Sequence, residues 1–407
     1  MRRYSVLIFW LAVVKEPLGN ETRVLAKTGK PLPHGSGSVC GLNIAHIDAG
    51  LDFRGGQDLL LSLARGLKQR GHGQLIVCPE GGPLWRRAAH EQQEAISVSN
   101  IGTLRRRLRE ERFDIVHAHD SKGQSISFRA SVGLPVRRVA SRQVAFPPRN
   151  PFFHRWKYSR TCHAVIANSQ AVRQVLIAAG VPDAHIEVIS PGIEMPGGLP
   201  SPAGRAEARA RWGLSMDEFA IGHAGAFTPE KGQDVALHAA LLLAPKLPCA
   251  RMLLAGDGPE RSQAAMLDLQ RQASGIVQLP GFIDNLDEFY AALDLFIMPS
   301  RSEGWGLTAL RAMAFALPVI ASNVGGLREM VEPGKTGWLV PPESPEALAA
   351  AILDAASDPV RLAVFGRSAR ERASSFSIDR TVEQTERLYF RLLASGQPAN
   401  GNAARAG

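Results

Sequence analysis

Beyond residue 41 the chain alternates short apolar runs with longer stretches whose apolar residues recur every three or four positions. The runs in the first half are 42–47, 74–78, 113–117, 138–140, 164–167 and 187–189. Residues 57–69 and 169–179 have the spacing of helices that bury one face. The second half repeats the pattern, with runs at 219–223, 250–255, 276–279, 295–298, 318–321 and 337–340. Strands that are apolar throughout must be covered on both faces. Separated by helices of roughly ten to fifteen residues, they predict βαβ units and parallel sheets, an α/β fold.

A Pro/Gly-rich break at 191–204 divides the pattern. At 407 residues the chain exceeds one ordinary core, so two domains are expected. The predicted organisation is an N-terminal extension at 1–40, a first domain at 41–195 and a linker at 196–212. A second domain at 213–377, a helix at 378–394 and a Gly/Ala/Asn-rich tail at 395–407, expected to be disordered, complete it. Residues 6–14 form an apolar run behind Arg2-Arg3, too short to span a bilayer. No small-x-small cleavage site clearly follows. A disordered extension or mis-set start, an interfacial anchor and an export signal all remain open for this segment.

Charge separates the halves further. The net charge is +9, but residues 41–195 hold 21 Lys/Arg against 13 Asp/Glu, a net of +8. Residues 213–375 hold 13 Lys/Arg against 19 Asp/Glu, a net of −6. A basic front half suits an anionic partner. No nucleic-acid motif accompanies it, which favours anionic lipid or a phosphorylated acceptor over nucleic acid. The four cysteines, Cys40, Cys78, Cys162 and Cys249, have no metal-ligand spacing. Cys78 and Cys162 lie in apolar runs and read as buried free thiols in a reducing compartment.

Doubly wound sheets bind ligands outside the carboxyl ends of their strands, and two such domains bind between them. The loops at those ends therefore hold the candidate chemistry. Gly55-Gly56 opens the first long helix and lets backbone approach an anion. His117 and His119 end an apolar strand, and alternation is taken to send them to opposite faces, with His119-Asp120 the better site candidate. Lys231, after the small residues 224–226, is placed to neutralise a diphosphate. Gly256 lies in a Gly-rich turn. Gly281, Phe282 and Ile283 could frame a flat ring. Glu303 precedes Gly304, Trp305, Gly306 and Leu307, where a helix begins and its free N–H groups suit a phosphate. The segment 146–160 interleaves aromatics with cations, as either a membrane-interface element or a packed connecting helix. Dinucleotide fingerprint, P-loop and Asp-x-Asp metal motif are absent from the sequence.

The succession Gly55-Gly56, His119, Gly225, Lys231-Gly232, Gly256-Asp257-Gly258-Pro259, Gly281-Phe282, Ser300, Glu303-Gly304, Gly306-Leu307 and Gly325-Gly326 resembles the retaining GT-B glycosyltransferases of group 1, family GT4. The resemblance covers about residues 41–390 and is most specific in the second half. It implies two Rossmann-like domains facing a central cleft and a nucleotide sugar held mainly by the second. Glu303 would bind hydroxyls of the transferred sugar. Lys231 and the N–H groups of 304–307 would hold the diphosphate, Gly281, Phe282 and Ile283 the base. Gly55-Gly56 would close over the diphosphate, and His119 would approach donor sugar or acceptor. No metal and no cofactor are expected, since the nucleotide sugar is a substrate. The resemblance further implies transfer with retention onto a cell-surface glycan or glycolipid precursor, as in lipopolysaccharide or exopolysaccharide synthesis. The setting would be cytoplasmic, with peripheral contact to an anionic inner membrane face. Front-face displacement would pass the acceptor proton to the departing phosphate.

Two positions depart from the family pattern. Ala226 stands where an Arg is common, and Arg311 stands where a second Glu usually accepts ribose hydroxyls. Arg can donate to those oxygens but cannot accept. Arg311 could replace the cation missing at 226, could weaken ribose binding, or could mark lost catalysis. A sugar-nucleotide-binding scaffold and a GT-B epimerase or phosphorylase are the rival readings.

Overall fold

The computed structural model describes residues 41–147 and 150–395. The expectations for 1–40 and for the tail beyond 395 lie outside these residues, as does Cys40. The first half supplies strands β1 (Asn43–Ile47), β2 (Gly73–Cys78), β3 (Ala95–Ser97), β4 (Ile115–Ala118), β5 (Arg137–Arg142), β6 (Ala164–Ala167) and β7 (Ile186–Val188). Helices α1 (Gly55–Gln69), α2 (Pro83–His90), α3 (Ile101–Glu110), α4 (Ser121–Ser131), α5 (Pro151–Arg160) and α6 (Gln170–Ala178) connect them. Among the described residues the strands form one parallel sheet in the order β3-β2-β1-β4-β5-β6-β7.

The second half contributes β8 (Phe219–Ala224), β9 (Ala250–Ala255), β10 (Val277–Gly281), β11 (Leu295–Met298), β12 (Val319–Ser322) and β13 (Gly337–Val340). They form a second parallel sheet, β10-β9-β8-β11-β12-β13. Its helices are α7 (Pro202–Arg211), α8 (Gln233–Leu243), α9 (Ala264–Gln272), α10 (Asp287–Ala292), α11 (Leu307–Ala314), α12 (Leu327–Met330), α13 (Pro345–Ser357) and α14 (Pro359–Ser374). In each sheet the strand order reverses beside the first strand, between β1 and β4 and between β8 and β11. Such a switch point leaves the crevice where ligands bind. This is the GT-B architecture, built on strands buried on both faces.

Three features differ from the sequence expectation. Strand β3 was not foreseen, because three half-buried residues at a sheet edge leave no apolar run. The expected linker at 196–212 contains α7, capped by the Ser201 hydroxyl and started by Pro202. Arg209 docks that helix: its fully buried guanidinium reaches Asp294 and the carbonyls of Ala292, Ser215 and Glu218. Finally, α15 (Ile378–Ala394) leaves the second half and joins the first. Its Ile378, Val382, Leu388 and Tyr389 share a core with Ile44, Leu63 and Leu67. The chain thus crosses between the halves twice, and the crossings run together. Ile193 N–H donates to Phe376 O at 3.0 Å, and Ile378 N–H to Ile193 O at 3.0 Å.

Candidate active site

The Glu303 loop is held from both sides. Gly306 sits at φ +99° as the residue before α11, a left-handed position that disfavours any side chain. Arg301 and Ser302 donate their N–H groups to Glu230 O, and the Arg301 guanidinium grips Asp234 at 2.6 and 2.9 Å. These bonds tie the β11–α11 loop to the β8–α8 loop. They bring Lys231 Nζ to 2.6 Å from Glu303 Oε2, both partly buried, with Ser300 Oγ at 3.5 Å from the same oxygen. Lys231 and Glu303, candidates from two separate loops in the sequence, are therefore direct neighbours.

The remaining second-domain positions surround this pair along the strand ends. Gly225 N–H donates to Ala255 O and Gly256 N–H to Gly281 O, which stacks three strand-end turns side by side. Phe282 is 64% exposed, and Ile283 packs against the core. Trp305 has its indole in the core against Phe376, so only its backbone is available to a ligand. Arg261 was missed: it donates to Leu279 O and Gly256 O, placing a cation between two of the turns. It lies on a short turn after Pro259, with no strand beside it to flag it.

Across the cleft the first domain makes contact directly. A Cβ on Gly55 would lie 3.1 Å from Leu307, and one on Gly304 would lie 1.8 Å from Gln143 O. Gly304 is therefore glycine because the other domain's backbone touches it. Arg311 is engaged by Asp58 of α1, Nη2 to Oδ2 at 2.5 Å. The pair borders a cavity of about 100 Å³ shared with Arg65, Glu194 and Leu307. The expectation that Arg311 stands in for the cation missing at Ala226 meets this different partner, which the sequence did not reveal.

His119 lines a smaller cavity with Arg142, Gln143 and Asn168. The assignment of His117 and His119 to opposite faces fails, because residues i and i+2 of a strand share a face. Their rings lie 4.1 Å apart. His46 of β1, level with His117 in the parallel register, joins them. His46 Nδ1 lies 3.0 Å from His119 Nε2, and His46 Nε2 lies 2.8 Å from Gln74 Oε1. Burial pulls His46 down to about 4, partly offset by the Gln74 bond. Burial, then the neighbouring imidazoles, hold His117 and His119 well below the usual histidine range. Among the described residues these three bring metal-ligand atoms within 4.8 Å of one another. His117, however, already spends Nδ1 on the Tyr389 hydroxyl and Nε2 on the Ser141 hydroxyl.

Two family models match the chain in succession: "Glycosyltransferase Family 4" over residues 53–195 and "Glycosyl transferases group 1" over 204–372. The chain belongs to the group 1, family 4 glycosyltransferases. Among curated family relatives, a D-inositol 3-phosphate glycosyltransferase of Gordonia bronchialis is 34% identical over 255 residues, 59% of this chain and 55% of that protein. One from Rhodococcus jostii is 38% identical over 209 residues, 49% of this chain and 46% of that protein. The chain spans about half the length of the curated relatives it matches. In fold it is similar to Anabaena Alr3699/HepE, solved with UDP, at TM-score 0.78 and 23% identity over 86% of this chain and all of that one. A glycosyltransferase of Rickettsia africae gives 0.79 and 21%, covering 87% and 99%.

Proposed function

We propose that this family 4 member transfers a sugar from a nucleotide-sugar donor, with retention and without a metal, onto a cell-surface glycan or a lipid-linked precursor. The observation that carries the reading is the Lys231–Glu303 pair at the second-domain crevice, on a loop whose Gly304 and Leu307 meet Gln143 and Gly55 of the first domain. Glu303 accepts hydrogen bonds from the donor sugar. Lys231 turns from Glu303 to the diphosphate, which also meets the N–H groups opening α11. As the anomeric C–O bond breaks, its electron pair passes to the diphosphate, where these fixed positive groups stabilise it. The acceptor oxygen bonds to the same face of the anomeric carbon. Its proton goes to the departing phosphate oxygen, and atoms and charge balance without a second carboxylate.

An acceptor borne on an anionic membrane surface fits the first domain, which we place at the inner face of the cytoplasmic membrane. Residues 121–182 contain ten Lys/Arg and no Asp/Glu. On the β5–α5 connection and α5, Phe146 is 52% and Phe152 is 85% exposed, beside exposed Arg155 and Arg160. Among the described residues no helix is long and apolar enough to cross a membrane. Co-sedimentation with phosphatidylglycerol vesicles but not with phosphatidylcholine vesicles is expected, and Phe152→Ala should weaken it.

The names of the curated relatives favour a second acceptor, an inositol phosphate. A panel of UDP-, GDP- and ADP-sugars, with and without D-inositol 3-phosphate or a lipid-linked glycan, tests both. Mass spectrometry should show nucleoside diphosphate released together with a glycosylated acceptor. Donor-induced thermal shifts without release from any donor would favour the scaffold reading instead. Donor turnover without acceptor points to an epimerase, and a requirement for inorganic phosphate to a phosphorylase.

A further inference from the structure

Behind His119 the first sheet buries a row of polar side chains that the transfer chemistry above leaves unused. Gln74 of β2 pairs in register with Ile44, and His46 lies two residues further along β1. His46 is level with His117 on β4, and His119 follows at that strand's end. The side-chain period of two puts all four on one sheet face, beneath α1 and α15. His46 and His117 are fully buried, and His119 is nearly so.

The bonds along this row have a direction. With Gln74 turned so that Oε1 faces His46 and its Nε2 is left without a partner, Oε1 accepts and His46 Nε2 carries the hydrogen. His46 Nδ1 then holds a lone pair and accepts from His119 Nε2–H, 3.0 Å away. The other nitrogen of His119, Nδ1, is left as a hydrogen-bond acceptor. The His117 ring lies against the His119 face, and His117 is itself fixed by Tyr389 and Ser141. The ring of His119 is held from behind, and this orientation of Gln74 sets its tautomer.

We propose that Gln74 and His46 are positioning residues that lock His119 as the Nε2–H tautomer, so that it meets a substrate hydroxyl through Nδ1 as an acceptor. The inference rests on His119 belonging to the transfer site proposed above. A neutral ring is required, and its surroundings keep it so. The groups near it are His46 on β1 and Asp48 just after it, His117 and Asp120 around the end of β4, Arg142 on β5 and Tyr389 on α15. The two carboxylates are occupied by N–H groups, Asp48 by Gly50 and Gln57, Asp120 by Ala49 and Gly123. Depressed basicity of all three imidazoles agrees with this arrangement.

The test combines two substitutions with a measurement on the unaltered protein. Gln74→Leu removes the acceptor that sets the tautomer, and kcat should fall at least about tenfold, because a wrong tautomer is costly in rate. The donor KM should stay within about twofold, since the donor is held mainly by the other domain. Gln74→Glu keeps the bond but adds a charge that favours protonated imidazole. The acid limb of its kcat–pH profile should move up by about one unit or more, with recovery at higher pH. A merely structural role for Gln74 would lower thermal stability and leave that limb in place. Imidazole ¹⁵N shifts of the histidine-labelled protein should report hydrogen on Nε2 of both His46 and His119, a readout that needs no variant to fold. Hydrogen on Nδ1 of His119, or a Gln74→Glu profile superimposable on the parent's, overturns the relay. Loss of kcat in His119→Ala alongside unchanged Gln74 variants overturns the relay and keeps His119 in the site. Parental kcat in His119→Ala overturns both.

Discussion

Lys231 and Glu303 hold each other at 2.6 Å, so each is the counter-charge of the other until a donor arrives. Replacing Glu303 by Gln should lower kcat by about 10²–10³, the usual effect of losing one polar contact made in the transition state. The same change frees Lys231, so affinity for the nucleoside diphosphate should be kept or improved. Calorimetric titration of UDP or GDP against the variant checks this, and a loss of affinity matching the loss of rate contradicts it. A second residue-scale consequence concerns acid. Burial holds His46 and His223 at about 4, against 6.5 when unfolded. Between those values the unfolded chain binds more protons than the folded one. The stability from keeping these rings neutral is complete above pH 6.5 and is lost as pH falls toward 4, on the order of 3 kcal/mol for each. The melting temperature should therefore drop between pH 7 and pH 5, above the range in which most carboxylates titrate. A flat profile across that interval would remove the histidines from the account. Glu303 and Lys231 were legible in sequence because turn glycines and a helix start mark their loops locally. His46 was not, because a lone histidine inside an apolar run reads as core until the register sets it beside His117 and His119.

At the level of elements, the β11–α11 loop and helix α7 show how backbone contacts restrict sequence. A methyl group on Gly304 would meet Gln143 O at 1.8 Å and Asn168 Nδ2 at 2.9 Å. Gly304→Ala should leave each sheet folded but push the loop off the first domain. Transfer should drop by about 10² or more, as for a misplacement near 1 Å, while circular dichroism stays unchanged. Parental activity would mean that the loop and Gln143 do not meet during turnover. Helix α7 depends on a buried cation. Arg209→Ala takes the guanidinium from the carbonyls of Ala292, Ser215 and Glu218, while Asp294 keeps Arg205 and the Ala220 N–H, and should cost about 3 kcal/mol, visible as early unfolding of the second domain in a denaturant titration. Periodicity identifies most strands, yet the sequence around α7 has the character of a linker. Its Pro, Gly and Arg content is that of a connection, and only Arg209's partners, up to 85 residues away, make it part of a domain.

For the whole molecule, the decisive contacts are those that join the halves. Asp58–Arg311 spans the cleft, with side chains 35% and 39% exposed, so water discounts it to well under about 1 kcal/mol on its own. Its sign still matters to closure. Asp58→Arg should place like charges across the cleft and raise the radius of gyration in small-angle scattering, and the double exchange Asp58→Arg with Arg311→Asp should restore it. Equal scattering from all three proteins would detach the pair from domain closure. The amino-acid sequence by itself determined the two doubly wound halves, the crevice edge of each and the loops bearing Glu303, Lys231 and the strand-end glycines. Those features follow from periods of two and 3.6 and from turn chemistry, which act over a few residues. Only the tertiary structure decided what Arg311 pairs with, how His46 sits behind His119, and that α15 returns to the first sheet. Each depends on strand register or on domain closure between residues far apart in the chain, and neither leaves a local trace.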